Sequence, residues 1–118
     1  MHHPLSTEMK KCLEACQKCH NACLHMALSH SQESGGPHLE PGHFRLMMDC
    51  AAITQTCADF ILRGSHFLDQ TCQLCAAICE LCAQGCEQAG GMAESAQACR
   101  RCAESCRQVI ESMVVKLA

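Results

Sequence analysis

Five cysteines between residues 72 and 86 constrain this chain more than any other feature: Cys72, Cys75, Cys79, Cys82 and Cys86. Their steps of three, four, three and four residues return each sulfur to one side of an α-helix, which turns by roughly 100° per residue. The pattern recurs in Cys12, Cys16, Cys19 and Cys23, and again in Cys99, Cys102 and Cys106. Cys50 and Cys57 stand seven apart, two turns along one face. All 14 cysteines of the 118-residue chain thus fall on four helical stripes.

The rest of the sequence supplies helices to carry those stripes. The first is expected from an N-cap near Ser6, with Glu8 in its first turn, to about Ser29. Its inward stripe reads Leu5, Met9, Cys12, Cys16, Cys19, Cys23, Met26, His30. Residues 31–42, rich in Gly, Pro and Ser, read as the only long loop. A second helix follows Pro41-Gly42 to about Arg63, with His43, Met47, Cys50, Thr54, Cys57 and Ile61 inward. Gly64 suits a helix C-terminus and Ser65 a following N-cap. The third helix is expected over about 66–89. Gly90-Gly91 ends it, and the fourth runs over about 92–116. Short connections make neighbours antiparallel, so the predicted fold is an all-α, up-down-up-down four-helix bundle. Nothing reads as a strand, and the length suits one domain over residues 1–118.

Such a bundle has unlike ends. One gathers Leu5, Ile61, Phe67, Leu68, Val109, Ile110, Met113 and Leu117, an apolar plug. The other gathers Met26, His30, His43, Met47 and Met92, which are soft or borderline metal ligands.

Composition excludes several functions. Net charge is −3, with no Trp or Tyr and three Phe. That leaves neither an electrostatic footprint for nucleic acid or anionic lipid nor a platform for stacking bases. No apolar run approaches the roughly 18–20 residues of a membrane span. Residues 1–6, MHHPLS, carry no apolar core of a secretory signal, so the expected location is the reducing cytoplasm. Stripe neighbours have Cβ atoms roughly 5–6 Å apart, whereas a disulfide needs about 3.5–4.5 Å. Bridges within a helix are therefore disfavoured, and reduced thiols are expected.

A single buried Cys is an ordinary small hydrophobe. Fourteen on inward stripes are a ligand set, because Ala, Val or Leu would fill the same space without risk of oxidation. Zinc sites and iron–sulfur clusters usually draw on short Cys-x-x-Cys turns. Here Cys-x-x-x-Cys and Cys-x-x-Cys steps alternate inside helices. Soft thiolates paired one turn apart suit two-coordinate Cu(I). Uncompensated buried thiolates are costly, so the metal-free thiols should stay protonated and lose about one proton per Cu(I) bound. Binding of zinc or mixed thiophilic metals remains the alternative. A thiol redox protein is a further one, without the βαβ context of a thioredoxin-like motif. A metal-responsive regulator would lack a basic DNA-reading face.

A bundle lined by Cys12-x-x-x-Cys16-x-x-Cys19-x-x-x-Cys23 and by the Cys72 to Cys86 run resembles the bacterial copper storage proteins, and its opening residues make it similar to their cytosolic branch. The resemblance covers almost the whole chain. It implies a homotetramer of bundles holding many Cu(I) ions, with no catalysis; all 14 cysteines are the candidate ligands, and copper chaperones are candidate partners for the exchange of the metal. Cytosolic members tend to carry more cysteines, and the second helix here has only Cys50 and Cys57, with Thr54 between them.

The remaining features have plainer readings. His20 flanks the first stripe and reads as a surface or interface histidine within possible reach of metal. His38 and His66 read as solvated. His2 and His3 follow the terminal amine, where an X-X-His start can wrap Cu(II), but a disordered terminus is the simpler expectation. Leu74, Ile78 and Leu81 form a second apolar stripe beside the third helix's cysteines, fit for a neighbouring helix or for a subunit interface.

Overall fold

The computed structural model describes residues 4–32 and 39–117. His2, His3 and His38 lie outside that set, as do the side chain of Leu117 and residues 33–38 of the expected loop. Four helices follow in order: α1 (Thr7–Gln32), α2 (Pro41–Arg63), α3 (Leu68–Ala89) and α4 (Ala93–Leu117). Among the described residues there is no strand. Helices adjacent in sequence pack on one another, and α1 also packs on α4. The helices therefore stand in a square around one shared core, and the bundle runs up-down-up-down as predicted.

Local chemistry explains the ends. The Ser6 hydroxyl accepts from the Met9 amide at 3.1 Å, an N-cap that starts α1. Pro41 is the first residue of α2, where its missing N–H costs nothing. Glu40 caps that helix: one carboxylate oxygen accepts from the Gly42 amide at 2.9 Å and the other from His43 at 3.1 Å. These bonds, Gly42 first, hold the Glu40 carboxyl below its usual range. At the far end Gly64 takes φ 64°. The Ser65 amide then donates back to the Phe60 carbonyl at 3.0 Å, a Schellman closure that favours glycine.

Helix α3 begins two residues later than expected. The Ser65 hydroxyl accepts from the Phe67 amide at 3.1 Å, which forms a turn rather than a first helical turn. Phe67 consequently points outward at 64% exposure, whereas Leu68 is 3% exposed. Phe67 is therefore not part of the plug. The plug consists of buried Ile61, Leu68 and Val109, with Leu5, Met9, Ile110 and Met113 packed against the core. Exposed ion pairs Glu80–Arg107 and Glu87–Arg100 tie α3 to α4; such pairs contribute little to stability.

Candidate metal centre

The stripes do what their spacing implies. All 14 cysteines are buried and unpaired. Few large apolar side chains are fully buried beside them, Met47, Ile61 and Val109 among them, so sulfur fills the middle of the bundle.

The sulfurs form overlapping groups along the bundle axis. Nearest the plug, Cys12, Cys16, Cys57 and Cys106 lie within 4.8 Å of one another, and Cys57 is 3.8 Å from Cys72. Next, Cys16, Cys75, Cys102 and Cys106 converge, with Cys102 at 3.6 Å from Cys16 and 3.8 Å from Cys75. Cys102 then joins Cys19 and Cys79, and Cys19 belongs in turn to a group with Cys23, Cys50 and Cys99. Cys82 and Cys86 follow one turn apart on the buried stripe of α3. Cys86 ends the series 3.6 Å from His43 Nε2. Successive groups share a sulfur, so an ion can pass along the axis by exchanging one thiolate at a time.

Protonation follows the same contacts. A buried thiolate is tolerated only where neighbouring thiols donate S–H to it, and burial otherwise favours the thiol. Cys12 is lowered to about 5 by hydrogen bonds from Cys106 and then Cys16. Cys23 is lowered to about 5, chiefly through Cys19. The donors move the other way: Cys75 is raised to about 11, by Cys102 first and further by burial. Cys16 and Cys106 are also raised, again by Cys102 first. Cys50, Cys57 and Cys102 are lowered as well, while Cys19, Cys72, Cys79, Cys82 and Cys99 are raised. The metal-free core therefore mixes thiols with a few thiolates that accept S–H bonds from them, and the expectation of a fully protonated core does not hold throughout.

Helix α2 is the poor donor. Thr54 stands fully buried between Cys50 and Cys57, and its hydroxyl donates to the Cys50 carbonyl at 2.8 Å and the Ala51 carbonyl at 3.1 Å. It faces the thiols with no free donor. His20 lies half-buried at the α1–α2 seam, and its Nδ1–H donates to the Ala51 carbonyl at 2.6 Å. It ties the two helices.

At the end opposite the plug, His30, His43 and Met92 line a cavity of about 670 Å³ together with Leu39, Leu46 and Gly85. Met47 is buried behind it and Met26 is half-buried on the core. His30 is turned by a bond from its Nδ1–H to the Met26 carbonyl at 3.1 Å. Gly85 and Glu40 carry no sequence pattern that marks their roles. A Cβ on Gly85 would stand 2.6 Å from His43 Cε1, so this glycine admits the imidazole to Cys86. Glu40 fixes the backbone that carries the ring.

Known proteins share this fold. The family model described as copper storage protein matches residues 3–111. A solved structure from Nitrosospira multiformis superposes with a TM-score of 0.82 at 48% identity, covering 88% of this chain and 95% of that one. The Cu(I)-bound copper storage protein BsCsp3, of Bacillus subtilis, superposes at 0.79 with 35% identity, covering 86% and 97%. The cysteine-rich protein YhjQ of Bacillus subtilis, whose function is uncharacterised, is 37% identical over 67 residues. That match takes in 57% of this chain and 61% of the relative, so the chain spans less than two thirds of it.

Proposed function

The chain belongs to the copper storage protein family, and we propose that it sequesters many Cu(I) ions as thiolate-bound copper along its bundle axis. The observation that carries this reading is the series of overlapping sulfur groups from Cys57–Cys72 to Cys23, Cys50 and Cys99, continued toward His43 by buried Cys82 and Cys86 on the α3 stripe. Each Cu(I) replaces about one thiol proton, so filling leaves the core close to neutral. Soft d¹⁰ Cu(I) accepts two or three sulfurs, and a sulfur can bridge two ions.

In this reading all 14 cysteines are ligands, and His43, Met92, Met47, Met26 and His30 serve entry and exit. Residues 1–118 act as one storage domain without catalysis. The setting is cytoplasmic, and copper chaperones exchange metal at the His/Met end. Among the described residues no helix is long and apolar enough to cross a membrane. Leu74 and Leu81, at 52% and 55% exposure, supply an apolar face for the homotetramer that the resemblance implies.

Anaerobic titration of the reduced protein with Cu(I) against a competing chelator tests the proposal. Tight binding should continue to on the order of 10–15 ions per chain, the range that neutrality sets. Near-ultraviolet thiolate charge-transfer absorption should rise with it. Saturation at one to four ions would overturn storage.

A further inference from the structure

Cys19, Cys23, Cys50 and Cys99 differ from a row of paired thiols. Their six sulfur–sulfur separations are 4.0, 3.7, 3.7, 4.0, 3.5 and 3.9 Å. The four atoms therefore occupy the corners of a nearly regular tetrahedron. With edges averaging about 3.8 Å, its centre stands about 2.3 Å from each sulfur, the Zn–S bond length. A two-coordinate ion asks only for two sulfurs on opposite sides of it. Four equidistant sulfurs around one point match a tetrahedral ion, and an S₄ tetrahedron is diagnostic of zinc-type coordination.

The geometry points to a tetrathiolate site for one divalent, tetrahedral thiophilic cation, of which zinc is the biological example, set inside the storage core. The corners come from three helices: two from α1 one turn apart, one from α2 and one from α4. All four are fully buried and packed by their own helices, so the tetrahedron exists before metal arrives. Binding forms four metal–sulfur bonds to four thiolates, the protons of those corners still protonated going to solvent, and leaves a local charge of two minus. Helix α3 contributes no corner but supplies S–H groups around the tetrahedron. Cys79 is 3.7 Å from Cys50, and Cys82 is fully buried one position further along the same stripe of α3. Hydrogen bonds to charged acceptors are the stronger kind, and these would spread the thiolate charge. The site also lies on the axis between the His43–Cys86 entrance and the plug-side thiols, so an ion entering there reaches it before those deeper groups.

Cobalt(II) is the probe, because a tetrahedral S₄ environment gives it intense visible ligand-field bands together with thiolate charge transfer. Reduced full-length protein without copper should take up one Co(II) per chain with that spectrum, and Zn(II) should displace it one for one. Cys99→Ser and Cys23→Ser should each abolish the tetrahedral spectrum, whereas Cys12→Ser at the plug side should leave it intact. Circular dichroism shows that the variants compared are folded, and two separate corner variants guard against one that is not. Absent or weak octahedral-type bands in the parent would overturn the inference. So would equal loss in folded Cys12→Ser and Cys99→Ser. The same samples titrated with Cu(I) keep the two readings apart: full copper capacity without a tetrahedral cobalt spectrum sinks this site and leaves storage standing.

Discussion

The two ends of the bundle are built from the same four helices and differ in what they put inside. At the plug, Ile61, Leu68 and Val109 close the axis with aliphatic carbon. At the mouth, His30, His43 and Met92 border a cavity, and Gly85 leaves out a side chain so that an imidazole can touch the first thiol. Buried aliphatic side chains stabilise, and they offer a soft ion no ligand. Imidazole and thioether hold Cu(I) less tightly than thiolate, so they suit transfer rather than retention. Packing is therefore concentrated at one end, and the proposed exchange falls at the other.

The largest effect expected from that contrast is on stability. Ile61→Ala at the plug should cost about 2–5 kcal/mol, the range for truncating a fully buried Ile. Chemical denaturation of the reduced apo protein reads it. Copper capacity should not change, and transfer to a chelator should keep its rate. Faster exchange in this variant would mean that the plug closes a second route, and the contrast between the ends would lose its kinetic half.

The matching change at the mouth is Gly85→Ala. Its Cβ would meet the tip of the His43 ring, which must swing away from Cys86. Helix propensity gains about 1 kcal/mol on replacing Gly by Ala, so stability should hold or rise slightly. Exchange should slow. A handover ligand worth about 1.4 kcal/mol at the barrier corresponds to about tenfold in rate. Stopped-flow transfer to a chelator under anaerobic conditions measures this, and His43→Leu, which removes the imidazole outright, should behave alike. Parent-like rates in both variants would make the mouth merely structural.

How much of this was legible beforehand depends on distance along the chain. The four stripes were readable because the helical period fixes which residues share a face, and burial follows the face. The same logic placed Met47, Ile61 and Val109 inward, Leu74 and Leu81 beside the cysteines, and the cap on Ser6. It failed at Phe67, where a local turn about Ser65 delayed the helix and sent the ring outward. Gly85 was unreadable, because its meaning is the approach of His43 from another helix 42 positions away in a chain of known sequence. The tetrahedron of Cys19, Cys23, Cys50 and Cys99 was hidden for the same reason. Spacing shows that each sulfur points inward, but only the distances between helices separate four equidistant sulfurs from two loose pairs.

The smallest effect concerns Thr54, between the two ends. The steps from Cys50 to Thr54 and from Thr54 to Cys57 are four and three residues, the rhythm of the other stripes, so Thr54→Cys would complete α2. The site is fully buried and already accommodates a side chain of similar size. The lost hydroxyl bonded only to carbonyls of its own helix, and the Ala51 carbonyl keeps its bond from His20. Stability should therefore change by no more than a single hydrogen bond contributes, about 0.5–1.5 kcal/mol. Capacity should rise by about one Cu(I), because one further thiolate neutralises one further ion. The new sulfur would stand on the plug side of the Cys50 group, so the added copper should be the slower to leave through the mouth. Anaerobic titration followed by timed chelator extraction separates the two quantities. An unchanged count would show that space rather than thiolate number limits filling. A fast-leaving extra ion would show that exit is not confined to the end bearing His43.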